Sequence, residues 1–423
     1  MNKSRVSTFK AFRSRNYALY FTGRSVSQFG TWMQRTAVVW VVYTMTHSPF
    51  MLGLAIFAEQ FPSFLLSAFG GVAADRYNRF KIINITQITS MIQAVLLAVL
   101  VMTNHYAVWE ILALSVVLGV INAYDIPARQ ALINEVVEDE SDLPSALSLS
   151  ASMASLAKLL GPALSGIILK EFGAGICFLI NAASFGGVML SVFFMKKPKI
   201  FIPKNKSKNA FKELAEGFVY LKQQSSVGLV IVMLGITSLL VLPYDTLMPV
   251  FAKIIFKGDA ATYGYINSFI GAGAVAGTML LASLKKNAPM RRILVISTLI
   301  ISIGLLCFSL TGHFYAAMFF AVIIGFGGVA QFTTCNIIVQ SEASPEMRGR
   351  AISILLTAIF GMLPLGSLVI GAVSQHIGAP KAIFAEGITG IVTAVVFATI
   401  LKRKKDASLQ LNMKAEEEML EVV

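Results

Sequence analysis

Five charged side chains stand inside apolar runs long enough to cross a membrane: Arg35, Glu59, Asp125, Lys158 and Asp245. A charge at such depth costs roughly 2.5–3.5 kcal/mol on insertion scales, so each is a candidate for function. A buried acid can take up a proton on one side of a membrane and release it on the other. A buried base can hold an anionic group. Arg35 and Glu59 each lie about eight residues inside their runs, roughly 12 Å deep at the helical rise, so they are placed to pair. Such a pair suits a fixed structural tie as well as a moving part. Asp245 has similar depth and lies between Pro243 and Pro249, where a helix should kink. Asp245 and Glu59 are the candidate proton carriers, with Asp245 preferred because Glu59 has Arg35 as a possible partner. Lys158 has no acid at its depth in its own run. Asp125 precedes Arg129 by four residues and reads best as a capping or loop-anchoring acid. Arg24 and Glu386 lie nearer run ends, within reach of the interface. With Arg35 and Lys158 near the centre, the substrate is expected to be an anionic or zwitterionic small molecule. Trp32, Tyr124 and Tyr244 are candidate cavity aromatics, beside Trp40, Tyr43, Phe57, Phe61 and Phe269. Any one of them is as readily explained by packing.

Other chemistries lack their residues. There is no G-x-x-x-x-G-K-[ST] for nucleotide phosphates and no H-E-x-x-H for zinc. His47, His105, His313 and His376 fall near loops, at spacings that do not form a metal site. Cys177, Cys307 and Cys335 all lie in apolar runs and read as packed thiols. Neither an enzyme nor a cofactor or metal protein is indicated.

The elements that must position these residues are membrane helices. Hydrophobic residues make up 56% of the 423 residues and charged ones 13%, against roughly a quarter charged in soluble proteins. Mean hydropathy is +0.72. Twelve spans are expected, at 17–45, 50–73, 81–103, 107–127, 144–169, 173–195, 226–254, 261–284, 291–311, 314–337, 350–374 and 380–401. Short loops at 46–49, 104–106 and 311–313 force neighbouring helices to run antiparallel. The net charge of +13 comes from bases clustered in alternate loops. That pattern reports topology rather than nucleic-acid binding, and it places both termini in the cytoplasm. No cleavable leader is expected, because Lys3 to Arg15 are too spread out and the first apolar run carries arginines.

The chain reads as two halves. Residues 1–195 hold six spans and 226–401 hold six more, with a lysine-rich linker at 196–225 and a tail at 402–423. Phe211, Leu214, Ala215, Phe218 and Leu221 give the linker an amphipathic helical pattern. Residues 135–148 weakly repeat as 340–353, each joining the fourth helix of its half to the fifth. Internal repeats of this kind fit secondary transporters, with substrate near the midplane between the halves.

Between the second and third spans runs G-V-A-A-D-R-Y-N-R-F-K-I, residues 71–82. Gly70, Gly71, Ala73 and Ala74 let a helix end pack closely, Asp75 can cap or salt-bridge a neighbouring helix, and Arg76, Arg79 and Lys81 hold the loop inside. The alternative is an ordinary basic loop with an incidental acid. The segment resembles the loop between helices 2 and 3 of the major facilitator superfamily. The resemblance implies that Gly71, Asp75, Arg76 and Arg79 form a conformational latch. The family glycine between the charged pairs is Asn78 here, a residue that also tolerates a left-handed turn. Further stretches look like the branch holding the enterobactin exporter and macrolide efflux proteins. They are G-T-W-M-Q at 30–34, D-I-P-A-R-Q-A at 125–131, K-L-L-G-P-A at 158–163 and M-R-G-R at 347–350. Gly161, Pro162 and Gly166 resemble the helix-5 antiporter motif of exporting families, with Ser165 in place of one glycine. Simple helix packing is the other reading of that motif. The family's helix-4 arginine is missing from 118–122, L-G-V-I-N.

The sequence therefore predicts an all-α polytopic membrane protein with twelve transmembrane helices in two six-helix halves. It is expected in a cytoplasmic membrane as a monomer among lipids. The expected activity is proton-coupled efflux of a drug-like compound or siderophore by alternating access. Uptake of a metal complex, siderophore or small nutrient is the alternative, and a channel or lipid scramblase a distant one.

Overall fold

Each apolar run folds as one long helix, and the polar residues between runs supply the caps. The computed structural model describes residues 9–104, 106–196, 219–221, 225–285 and 288–421. In the N-terminal half come α1 (Arg15–Thr46), α2 (Pro49–Arg76), α3 (Arg79–Thr103), α4 (Val108–Val136), α5 (Leu143–Phe172) and α6 (Ala174–Phe193). In the C-terminal half come α7 (Ser225–Leu240 and its continuation to Ile255), α8 (Ala260–Ser283), α9 (Met290–Leu310), α10 (Phe314–Glu342), α11 (Arg348–Ile377) and α12 (Ala379–Glu421). Eleven of these have an apolar stretch sufficient to span a membrane. Helix α1 falls short because it carries Arg24, Gln28, Gln34 and Arg35. The face where α1 begins is called the terminal face below, and the opposite one the far face.

Local chemistry sets the helix ends. Ser14, Ser48, Asn78 and Asp259 each accept a hydrogen bond from a first-turn N–H, opening α1, α2, α3 and α8. Asn78 has φ −63, so it serves as an N-cap rather than as the left-handed turn expected of it. Gly173 and Gly378, at φ +81 and +85, end α5 and α11, where a side chain would be strained. Helix α7 breaks as its prolines require. It passes through a 3-10 turn at Leu242–Leu247 and the short Met248–Val250 into a π turn at Phe251–Ile255. Helices α4 and α10 outrun their apolar stretches, ending at Val136 and Glu342, because a helix needs no apolar residues once outside the lipid. Most of the expected amphipathic linker helix lies outside the described residues; Val219–Leu221 is helical.

The halves repeat one another in their packing. In the first, α2 meets α4 backbone to side: a Cβ on Gly70 would lie 1.8 Å from the Ala123 carbonyl oxygen. In the second, α8 meets α10 the same way, with a Cβ on Gly325 1.8 Å from the Ile270 oxygen. Small residues allow such approach where lipid supplies no hydrophobic drive.

Contact between the halves is uneven with depth. Toward the far face, Val39, Tyr43, Leu52 and Ile56 of the first half share one apolar core with Leu247, Phe251, Ile266 and Ile370 of the second. Toward the terminal face the cores stay separate. Tyr17, Ala74, Leu132 and Val192 cluster within one half, and Leu234, Leu294, Ile338 and Leu355 within the other.

Candidate transport site

Two seams close the far side. In the first, α2 lies on α11, where Cβ atoms on Gly53 and Gly371 would sit 2.2 Å from the Ser367 oxygen and 2.6 Å from the Pro49 oxygen. In the second, α5 lies on α8, with Gly264 facing the Pro162 oxygen at 2.4 Å and Gly166 facing the Ala260 oxygen at 2.6 Å. The helix-5 motif thus divides its work: Gly161 admits Trp32 of α1, while Pro162 and Gly166 meet the opposite half. Ser165 is fully buried and donates to the Met33 carbonyl at 3.1 Å, so it fastens α5 to α1 where a glycine could not. Polar links reinforce the seams. Ser48 Oγ meets Gln375 Oε1 at 2.8 Å, and Lys170 Nζ meets Asp259 Oδ2 at 3.1 Å. Burial pushes the Asp259 carboxyl up, but the Thr262 N–H and Lys170 outweigh it and hold the carboxyl below the usual range.

Below these seams the central charges converge. Lys158 lies in electrostatic reach of Asp245 and Arg35, although the three come from α5, α7 and α1. Tyr263 of α8 joins them, acted on by Asp245 and Arg35 and stacked on Trp40 at 6.1 Å. Arg35 places its guanidinium 5.6 Å from the Trp32 ring centre, a cation–π contact. Asp245, in the 3-10 break of α7, is exposed. No ion pair fixes Lys158, Asp245 or Arg35 among the described residues. Tyr244 is buried in the C-terminal core, and Tyr124 is half-buried behind Gly70 on α4.

The N-terminal half also has a polar interior that sequence reasoning only touched. Asp125 is buried and accepts from Thr86 at 2.8 Å and Gln87 at 3.1 Å, and pairs with Arg129 at 2.6 Å. A capping or loop-anchoring acid was expected; α4 continues to Val136, so Asp125 lies inside the helix and ties it to α3 instead. Gln34 links Gln93 and Asn181 at 3.0 and 2.8 Å. Arg35 and Glu59 line one cavity of about 40 Å³ with Asp125 and Arg129, yet they form no ion pair. Their equal depth put them at one level; helix rotation keeps their charged ends apart. Arg24 lines this cavity and a second of about 320 Å³ with Tyr20, Gln28 and Gln130, rather than reaching the interface.

The latch residues fall into two sets. Arg79 pairs with Glu135 and donates to the Ala74 carbonyl at 3.0 Å. Asp75 and Arg76 are exposed at the terminal end of α2, and Asp75 has no partner among the described residues. Gly70 makes the close helix contact, while a Cβ on Gly71 would meet open space. Gly349 at the start of α11 is equally open. Glu386 was expected near the interface and is instead buried, because its two-methylene side chain is too short to reach out from its depth in α12. Cys177 and Cys335 are buried free thiols and Cys307 a half-buried one.

Two six-helix bundles around a charged centre, together with the relatives below, define a membrane transporter. The chain belongs to the transmembrane secretion effector family of the major facilitator superfamily, whose model matches residues 6–423. It is 26% identical over 393 residues to the staphyloferrin A transporter of Staphylococcus aureus, covering 91% of this chain and 96% of that protein. It is 23% identical over 352 residues to the enterobactin exporter EntS of Salmonella typhimurium, covering 83% and 82%. Macrolide efflux protein A of Streptococcus pyogenes is 20% identical, over 91% and 96%. Among solved structures, a POT family transporter superposes with TM-score 0.74 at 12% identity, covering 92% of this chain and 96% of that one. A D-xylose-proton symporter gives 0.70 at 12%, over 92% and 97%.

Proposed function

We propose that this protein exports a siderophore or drug-like compound in exchange for protons, by alternating access between 1–195 and 226–401. The observation that carries the reading is the unequal meeting of the halves. Their apolar cores merge toward the far face and stand apart toward the terminal face, with Lys158, Asp245 and Arg35 between. The terminal face is taken as cytoplasmic, since the bases of alternate loops gather there. Cargo then enters from the cytoplasm and rests its anionic groups on Lys158 and Arg35. The reverse state needs the glycine seams to part and the terminal ends of α2 and α11 to meet. Asp75 is the free charge on α2 that such a closure brings to α11. Asp245 is the proton carrier of choice, because its helix is already broken and its carboxyl is exposed at the centre. The names borne by the relatives support siderophores and macrolides as the first cargo to try.

Everted vesicles carrying the protein and an imposed pH gradient test this reading. Accumulation of a siderophore or dye that collapses with the gradient is expected. Absence of accumulation, with gradient-driven loss from right-side-out vesicles also absent, would favour uptake.

A further inference from the structure

Glu386 is the acid that the transport site leaves without a task. It stands seven residues into α12, about 10 Å below the far end of the helix. It is 3% exposed, and neither carboxyl oxygen has a hydrogen-bond partner. The other buried acid of the described residues, Asp125, holds Arg129, and Glu135, which keeps one oxygen unpartnered, still holds Arg79 with the other. Its helix packs closely on α9 and α7. A Cβ on the adjacent Gly387 would lie 2.9 Å from the Ser302 oxygen, and one on Gly390 would lie 2.1 Å from Ser302 Oγ and 3.3 Å from Val241.

We propose that Glu386 is a proton-binding site of the C-terminal half, loaded from the far side in the conformation that opens the far face and carrying its proton in this one. The proposal rests on the proton-coupled reading above. Its physical ground is that an ionised carboxylate without donors is costly in a dry apolar interior, whereas the neutral acid is not. Among the described residues no cation pairs with it, and Lys381 of its own helix is exposed. Helix α9 brings Cys307, with Arg291 and Arg292 only at its terminal end. Helix α7 brings Tyr244, which lies within electrostatic reach, then Asp245, and Lys253 exposed near its far end. Helix α11 brings His376 at its far end and Arg348 and Arg350 at the other. Parting of α12 from α7 and α9 admits water from the far side, and the ionised carboxylate takes its proton from a hydronium in that water, leaving water behind; no other bond changes. Because α7 also carries Asp245, one movement of the broken helix reaches both acids.

Glu386→Gln tests the proposal in the full chain reconstituted in liposomes, with a siderophore or dye that the parent accumulates. Infrared difference spectra across a pH jump should lose one titrating carboxylic-acid band. Gradient-driven accumulation should be lost while substrate counterflow persists. A variant that keeps every titrating carboxyl band, or accumulates substrate under a proton gradient as the parent does, overturns the proposal. Should the glutamine variant fail to fold, Glu386→Asp must shift the midpoint of that band, and an unmoved midpoint overturns it as well. A parent that moves substrate without any gradient, yet shows the Glu386 band, defeats the coupled-export reading and leaves the proton site standing.

Discussion

Arg79 and Glu135 tie the first residue of α3 to the last turn of α4, and Arg291 and Glu342 make the corresponding tie between α9 and α10. The two joints differ in burial: side-chain exposure is 13% and 8% in the first and 43% and 33% in the second. Removing one partner of a buried pair leaves an uncompensated charge and costs about 3 kcal/mol. Loss of an exposed pair costs about 0.5 kcal/mol. Glu135→Gln should therefore lower the unfolding temperature in detergent clearly more than Glu342→Gln does. Equal losses would mean that burial does not distinguish the joints.

Asp75→Asn should leave this conformation intact, since the carboxylate touches nothing in it. The variant loses a charge-assisted contact only in the reverse state, so the balance moves toward the conformation closed on the far side. Cysteines placed at the terminal ends of α2 and α11 should label faster in the variant. Identical labelling in variant and parent would remove Asp75 from the latch.

Arg35 and Glu59 share a cavity without pairing. Arg35→Gln and Glu59→Gln should then combine additively in stability, within about 0.5 kcal/mol. A double variant milder than either single one would show that the two side chains meet in another state.

Asp245→Asn should abolish gradient-driven transport and spare substrate binding and exchange. Normal proton-driven export in that variant would shift the role to Glu59. Loss of binding as well would make Asp245 a substrate contact beside Lys158.

Gly264→Val should prevent the far side from closing. A Cβ there would lie 2.4 Å from the Pro162 main-chain oxygen, and main chain cannot step aside. Labelling of far-face cysteines should rise, and transport should fall. The Lys170–Asp259 pair assists the same seam. Because the Asp259 carboxyl is held below its usual range, its help is full above the ordinary carboxylate range while Lys170 stays protonated, and is lost on the acid side as pH falls through that lowered value. Closure that weakened already near neutrality would point to a different group.

Much of this architecture was legible from local pattern. The number and order of the spans, the kink at Pro243 and Pro249 and the two halves follow from apolar run length and proline chemistry. What was not legible depends on helix rotation and on partners in the other half. Equal depth cannot tell whether Arg35 faces Glu59 or Trp32. The seam glycines Gly53, Gly264 and Gly371 look like any other small residues until the opposing backbone is in place. Arg79 read as part of a basic loop because Glu135 lay beyond the apolar limit assigned to the fourth span. Glu386 was misjudged because distance to a helix end was weighed and side-chain length was not.

The close approach in the α5–α8 seam is glycine against main chain, at Gly166, Gly264 and Gly271, so few side chains set its fit. A surface like that cannot sense what lies beneath it. On the export reading proposed above, cargo preference is free to change through Trp32, Lys158, Tyr263 and their neighbours while the glycine seam keeps one fit. One threshold could then serve transporters of chemically unrelated compounds that differ only in the chamber.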